Sequence, residues 1–141
     1  MERSRPTTSI CRETMPRSTP EYDLQKLVVA WLFAAMPKGS LLHHSPNEGL
    51  HKVQYRAKLS RMGMCPGWPD LQLVVPFSHY LDGQRQVDIF IELKAPKGRL
   101  SKVQQAVIDR LKASHRHVSV CRSLDEVREF LGGIIRLRCE T

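Results

Sequence analysis

Three residues in this chain stand at spacings that could do phosphodiester chemistry: Asp70 in Gly67-Trp68-Pro69-Asp70, and Glu92 and Lys94 in Ile91-Glu92-Leu93-Lys94. Two carboxylates suit a hard divalent cation such as Mg²⁺ or Mn²⁺, which takes oxygen ligands and keeps several waters. The backbone carbonyl of Leu93 is a further candidate ligand. Such a cation activates water and offsets the charge that builds on a phosphate under attack. A lysine beside it adds a compact positive charge for that water or for the phosphate.

The elements that must position these groups read as strands. From Val87 to Lys94, Val87, Ile89, Ile91 and Leu93 alternate with Asp88, Glu92 and Lys94, which predicts a strand with one buried face. Glu92 and Lys94 then share a face, roughly 6.6 Å apart along the strand. Leu71, Leu73 and Val75 alternate in the same way with Asp70 and Gln72, and Pro69 favours a strand start after it. If the two strands pair as antiparallel neighbours across the loop Phe77–Gln86, Asp70 and Glu92 converge. Each piece has a plainer explanation alone: a Glu-x-Lys is commonly a solvated pair, and an Asp after Pro is commonly turn chemistry. Their order and matching faces together carry the metal-site expectation.

From Glu21 to Leu131 the chain resembles the virus-type replication-repair nuclease (VRR-NUC) domain, a branch of the PD-(D/E)xK nuclease superfamily. The residues carrying the resemblance are Gly67-x-Pro69-Asp70, Glu92-Leu93-Lys94, Gly98-Arg99-Leu100-Ser101 followed by Gln104, and a Glu-led helix upstream. The resemblance implies a restriction-endonuclease-like α/β fold, with Asp70 and Glu92 as metal ligands and Lys94 as the catalytic lysine. It also implies Gln104 as a support of the site and Glu21 as the acid completing the metal shell. It further implies structure-selective DNA cleavage, with free-standing members acting as homodimeric Holliday-junction resolvases of phages or prophages and fused members as flap nucleases. A two-fold dimer suits a four-way junction by presenting two sites to strands of like polarity.

Two of these roles have structural alternatives. Glu21 stands in the first turn of an amphipathic helix expected over Pro20–Met36, where the helix dipole favours a carboxylate in any case; Glu48 is the competing acid. The helix is marked by Leu24, Leu27, Val28, Trp31, Leu32 and Ala35, with Thr19 and Pro20 as its start signal. Gln104 also completes a capping box with Ser101.

A net charge of +8 points to a polyanionic partner. Arg56, Lys58 and Arg61 precede the proposed site and Lys97, Arg99 and Lys102 follow it, as a DNA-backbone surface would require. Few aromatics are at hand for stacking, which favours contact with duplex backbone over single-strand readout. Against a structure-selective nuclease stand two rivals: a DNA-binding module without catalysis, and a sequence-specific restriction enzyme, for which no base-reading insertion is evident.

At 141 residues, 41% hydrophobic and 26% charged, the composition is that of a globular domain. Residues 1–19, rich in Ser, Thr, Pro and Arg, read as a disordered basic arm, and 20–141 as a single domain. No stretch is apolar enough for a signal peptide or a membrane span, so a cytoplasmic protein is expected. Four cysteines without a CxxC pair exclude the common zinc motifs, and Cys65 and Cys121 read as small core residues. His43 and His44 would point to opposite faces of a strand, which can turn one of them to the site. Lone histidines are usually structural or surface groups, and neither is assigned to it.

The expected order is a helix at 20–36, a strand around 40–44, a helix near 50–62, strands at 70–76 and 87–95, a helix Ser101–Ser114 with Val103, Val107, Ile108 and Leu111 on its inner side, a strand His117–Cys121 and a helix Ser123–Leu131. Together these make an α/β domain with a mixed central sheet. Ile134, Ile135 and Leu137 are apolar and on hand for a dimer contact.

Overall fold

The computed structural model describes residues 19–45 and 53–138. Its elements run α1 (Pro20–Ala35), β1 (Leu41–His44), α2 (Val53–Arg61), β2 (Leu71–Val74), a 3-10 turn (Phe77–His79), β3 (Ile89–Leu93), α3 (Lys102–Ala113), β4 (His117–Cys121) and α4 (Leu124–Gly132). The four strands form one sheet in the order β1-β2-β3-β4. The first three run antiparallel and β4 lies parallel to β3 across the α3 connection, so the sheet is mixed as expected.

Local chemistry explains where the helices begin. Thr19 accepts a hydrogen bond from the Tyr22 amide with Pro20 in the first turn, and Ser123 accepts one from Glu126. Ser101 and Gln104 form the full capping box. The strands are shorter than the alternation suggests, because only Leu71–Val74 and Ile89–Leu93 find ladder partners.

β3 departs from the one-sided burial that its pattern predicts: all five of its residues are buried. Ile89, Ile91 and Leu93 join Leu71 and Leu73 of β2, Val28 and Leu32 of α1, and Val127 and Leu131 of α4 in the main core. The alternate residues are covered too. Phe90 meets Trp68 edge-on at 5.4 Å, and Glu92 meets Gln104 of α3. A central strand between two helical layers loses its solvent face.

Several apolar residues lie elsewhere than the periodicity places them. Leu27 of α1 and Val103 of α3 are exposed, since the faces centred on Val28, Leu32 and Ala35 of α1 and on Ile108 of α3 turn inward. Cys121 is buried but Cys65 is exposed, in the loop before Gly67. Ile134 and Ile135 are buried rather than free for a dimer contact. The segment after α4 returns to the β2–β3 connection, where Leu81 donates to Ile134, Arg136 donates to His79, and Tyr80 bridges Ile135.

Gly67 makes the turn that delivers Pro69 and Asp70 to the head of β2. Its φ is +82°, and a Cβ there would stand 2.8 Å from backbone atoms of Val103. Gly67→Ala is therefore expected to cost about 2 kcal/mol from the left-handed backbone, with the clash adding to it. Thermal denaturation checks this, and an unchanged midpoint would show that the turn relaxes freely.

Candidate active site

The pairing of β2 with β3 sets Leu71 opposite Ile91, which brings Asp70 beside the end of β3. There the Leu93 amide donates to Asp70 Oδ2 at 2.8 Å. The carboxylate thus fastens the two strand ends together. On its other side, the Asp70 carbonyl accepts from the Ser45 amide at 3.1 Å and lies 2.9 Å from His44 Nδ1. Of the two adjacent histidines it is His44 that touches the site. Its Nδ1 also stands 3.0 Å from Gln25 Nε2. With one proton this nitrogen serves one partner at a time, donating to the carbonyl or accepting from the amide.

Glu92 has no solvent exposure, while Asp70 and Lys94 are each 7% exposed. Lys94 Nζ lies 3.4 Å from Glu92 Oε1 and 3.8 Å from Glu21 Oε1. Gln104 Nε2 donates to Glu92 Oε1 at 3.0 Å while its Oε1 accepts from the Ser101 amide at 2.9 Å. The capping and site-supporting readings of Gln104 are thus one arrangement. The cap holds the amide in the orientation that presents its nitrogen to Glu92.

Glu21 comes to Lys94 from α1, and its Oε1 also accepts from the Ala95 amide at 3.4 Å. Among the described residues no three His, Cys, Asp or Glu side chains gather as a metal group. The structure places Glu21 within ion-pair reach of the lysine. Glu48 lies outside the described residues.

Glu92 Oε2 is buried without a hydrogen-bond partner among the described residues. A buried carboxylate oxygen left so is costly unless a cation meets it. Two carboxylates and a strand-end carbonyl are the donor set that Mg²⁺ or Mn²⁺ takes, since these ions complete their shells with water and substrate phosphate. Asp70, Glu92 and the Leu93 carbonyl therefore fit such an ion.

The six expected DNA-contacting cations, Arg56, Lys58 and Arg61 on α2 and Lys97, Arg99 and Lys102 after Lys94, are all exposed. The second set follows directly on the site through the turn Ala95–Gly98. The first lies on a helix that buries no residue. Sequence reasoning missed Gln25, which shows only as a polar residue one turn beyond Glu21. It also missed a cleft beside Asp70, for which no linear pattern exists.

An α/β domain with an Asp at one strand head and a Glu and a Lys at the end of the next belongs to the nuclease-like class of folds. A family model, the VRR-NUC domain, matches residues 7–125. The chain belongs to the VRR-NUC domain family, whose function is nuclease-type processing of DNA. The match begins inside the segment that composition marks as an arm, although residues 1–18 lie outside the described residues. Among solved structures, a VRR_NUC domain protein is similar at 24% identity and a TM-score of 0.60, over 82% of this chain and 88% of that one. A second structure, a VRR_NUC domain, is similar at 22% identity and a TM-score of 0.54, over 82% and 97%. Both support the fold. No curated protein matches the chain. Among the described residues no helix is long and apolar enough to cross a membrane.

Burial first, and the charge of Asp70 second, push Glu92 up to about 7 from its ordinary 4.5, with Lys94 opposing. In the metal-free chain the folded state thus holds this proton more tightly than the unfolded state. The stabilisation this gives is complete below pH 4.5 and is lost as pH rises through 7. The melting temperature in EDTA is expected to fall across that window, and Mn²⁺ to restore it most at the alkaline end. A flat profile, equal with and without Mn²⁺, would contradict this account of Glu92.

Gln104→Glu separates the two jobs of that side chain. A glutamate keeps the capping acceptor but sets a negative charge against Glu92. The helical signal by circular dichroism is expected to stay while metal-supported cleavage falls at least about tenfold. Full cleavage would reduce Gln104 to a cap.

Proposed function

We propose that this chain is a Mg²⁺- or Mn²⁺-dependent endonuclease that hydrolyses phosphodiester bonds in branched DNA, acting as a homodimer on four-way junctions. The observation that carries the catalytic part is Glu92: a carboxylate with no solvent exposure and an unpartnered oxygen, beside Asp70 and Lys94. The branched substrate and the dimer rest on the family resemblance and on the charge of +8.

Asp70, Glu92 and the Leu93 carbonyl would hold the ion, and when bound it supplies Lewis-acid chemistry to the phosphate and to water. The remaining work belongs to the chain. Lys94, steered by Glu21 and Glu92, presents its ammonium to the attacking water or to a phosphate oxygen. Gln104 holds Glu92 so that Oε2 stays turned to the site. His44 and Ser45 fix the backbone of Asp70. Lys97, Arg99 and Lys102 neutralise the flanking backbone, so binding weakens steeply with salt.

Purified protein incubated with a four-way junction, a 5′ flap and a linear duplex, with Mg²⁺, Mn²⁺ or EDTA, tests this directly. Symmetric junction nicks are expected, lost in EDTA and in Glu92→Ala. Lys94→Ala is expected to lower the rate by about 10²–10³ while binding persists. Flap cuts alone would replace the junction reading, and a fixed cleavage sequence would favour restriction. Tight binding with no metal-dependent cutting would leave a docking module.

A further inference from the structure

A cleft of about 650 Å³ runs along the outer side of α1 and reaches Asp70 and Leu93 at one end. Tyr22, Lys26, Val29 and Phe33 line it, at the spacing of one helical face. Two large aromatic rings stand open to solvent there, Tyr22 at 58% and Phe33 at 65% exposure. Lys26 Nζ sits 5.2 Å from the Tyr22 ring centroid. With about 1.5 Å of rise per residue, the cleft wall extends about 18 Å from Glu21 to Phe33, enough for more than one nucleotide.

We propose that this cleft takes unpaired nucleotides of the substrate strand next to the scissile phosphate, their bases on Tyr22 and Phe33 and the phosphate between them beside Lys26. The proposal rests on the nuclease reading above and adds a substrate feature to it: cutting is favoured where bases have left the duplex stack.

Three observations select this occupant. The cleft reaches Asp70, so a strand whose phosphate lies at the site must place its neighbouring nucleoside close to the α1 wall. A nucleotide also has the chemistry of that wall, an aromatic face for a ring and an anion for an ammonium, and bases stack on exposed aromatics without sequence preference. A second copy of the chain seated on the same wall would cover this approach to Asp70. Aromatic residues are few in the sequence, but two of them stand here, and position counts for more than number.

Fluorescence anisotropy in EDTA, with the full chain and a short labelled oligothymidylate, reads the cleft without any turnover. Tyr22→Ala and Phe33→Ala are each expected to weaken single-strand binding about tenfold, and Tyr22→Trp to retain it. In the cleavage assay with Mg²⁺, the ratio of cutting at an unpaired site to cutting of paired duplex is expected to fall in the same two alanine variants. Both side chains are exposed, so circular dichroism should show wild-type folding. Unchanged oligothymidylate affinity in both variants would overturn the proposal. So would unchanged affinity combined with loss of a dimer in sedimentation, which would assign the wall to a second copy. Failure of the nuclease reading shows separately, as cutting that neither EDTA nor Glu92→Ala removes, or as no cutting at all.

Discussion

A carboxylate buried in the middle of the sheet is the constraint on which this molecule turns. Glu92 stands near the end of β3, whose every residue is buried, and burial there opposes its charge. Two neighbours ease that cost: Lys94 supplies the opposite charge and Gln104 donates to one oxygen. The charge of Asp70 adds to it, as that carboxylate stands across the strand pair and ties down the Leu93 amide, and Glu21 shares the lysine. These side chains come from α1, the head of β2, the end of β3 and the start of α3. The sheet order, the Gly67 turn and the capping box all serve to bring them together.

The arrangement separates the jobs of its charged groups. Glu21 is partly exposed and pairs with Lys94, while Asp70 and Glu92 lie deeper. Gln104 links helix formation to site geometry through one amide. That coupling means α3 cannot fray at its start without releasing Glu92. Buried polar networks of this kind are costly when half satisfied, and Glu92 Oε2 has no hydrogen-bond partner among the described residues.

Much of this was legible in the sequence because it is local. Period-two alternation put Glu92 and Lys94 on one face, Pro69 marked the start of β2, and Ser101 with Gln104 announced the start of α3. The antiparallel pairing needed only a connection short enough to return. What was not legible depends on contacts distant in sequence. Ile134 and Ile135 look free for a partner until the segment after α4 is seen to pair with the loop around Tyr80. Leu27 and Val103 carry the right period but fall beyond the edge of what each helix covers. Cys65 follows its loop to the surface rather than its hydrophobicity to the core. The role of Glu21 needed the fold as well, since it depends on a contact 73 positions away, between residues 21 and 94.

The central claim is that Asp70 and Glu92 together hold a divalent cation. Direct titration with Mn²⁺, followed by electron paramagnetic resonance of the free ion, tests it most simply. The account predicts saturable binding to the wild-type chain that is lost in both Asp70→Asn and Glu92→Gln, with the folded structure kept. Equal binding by the wild type and by both variants would contradict it.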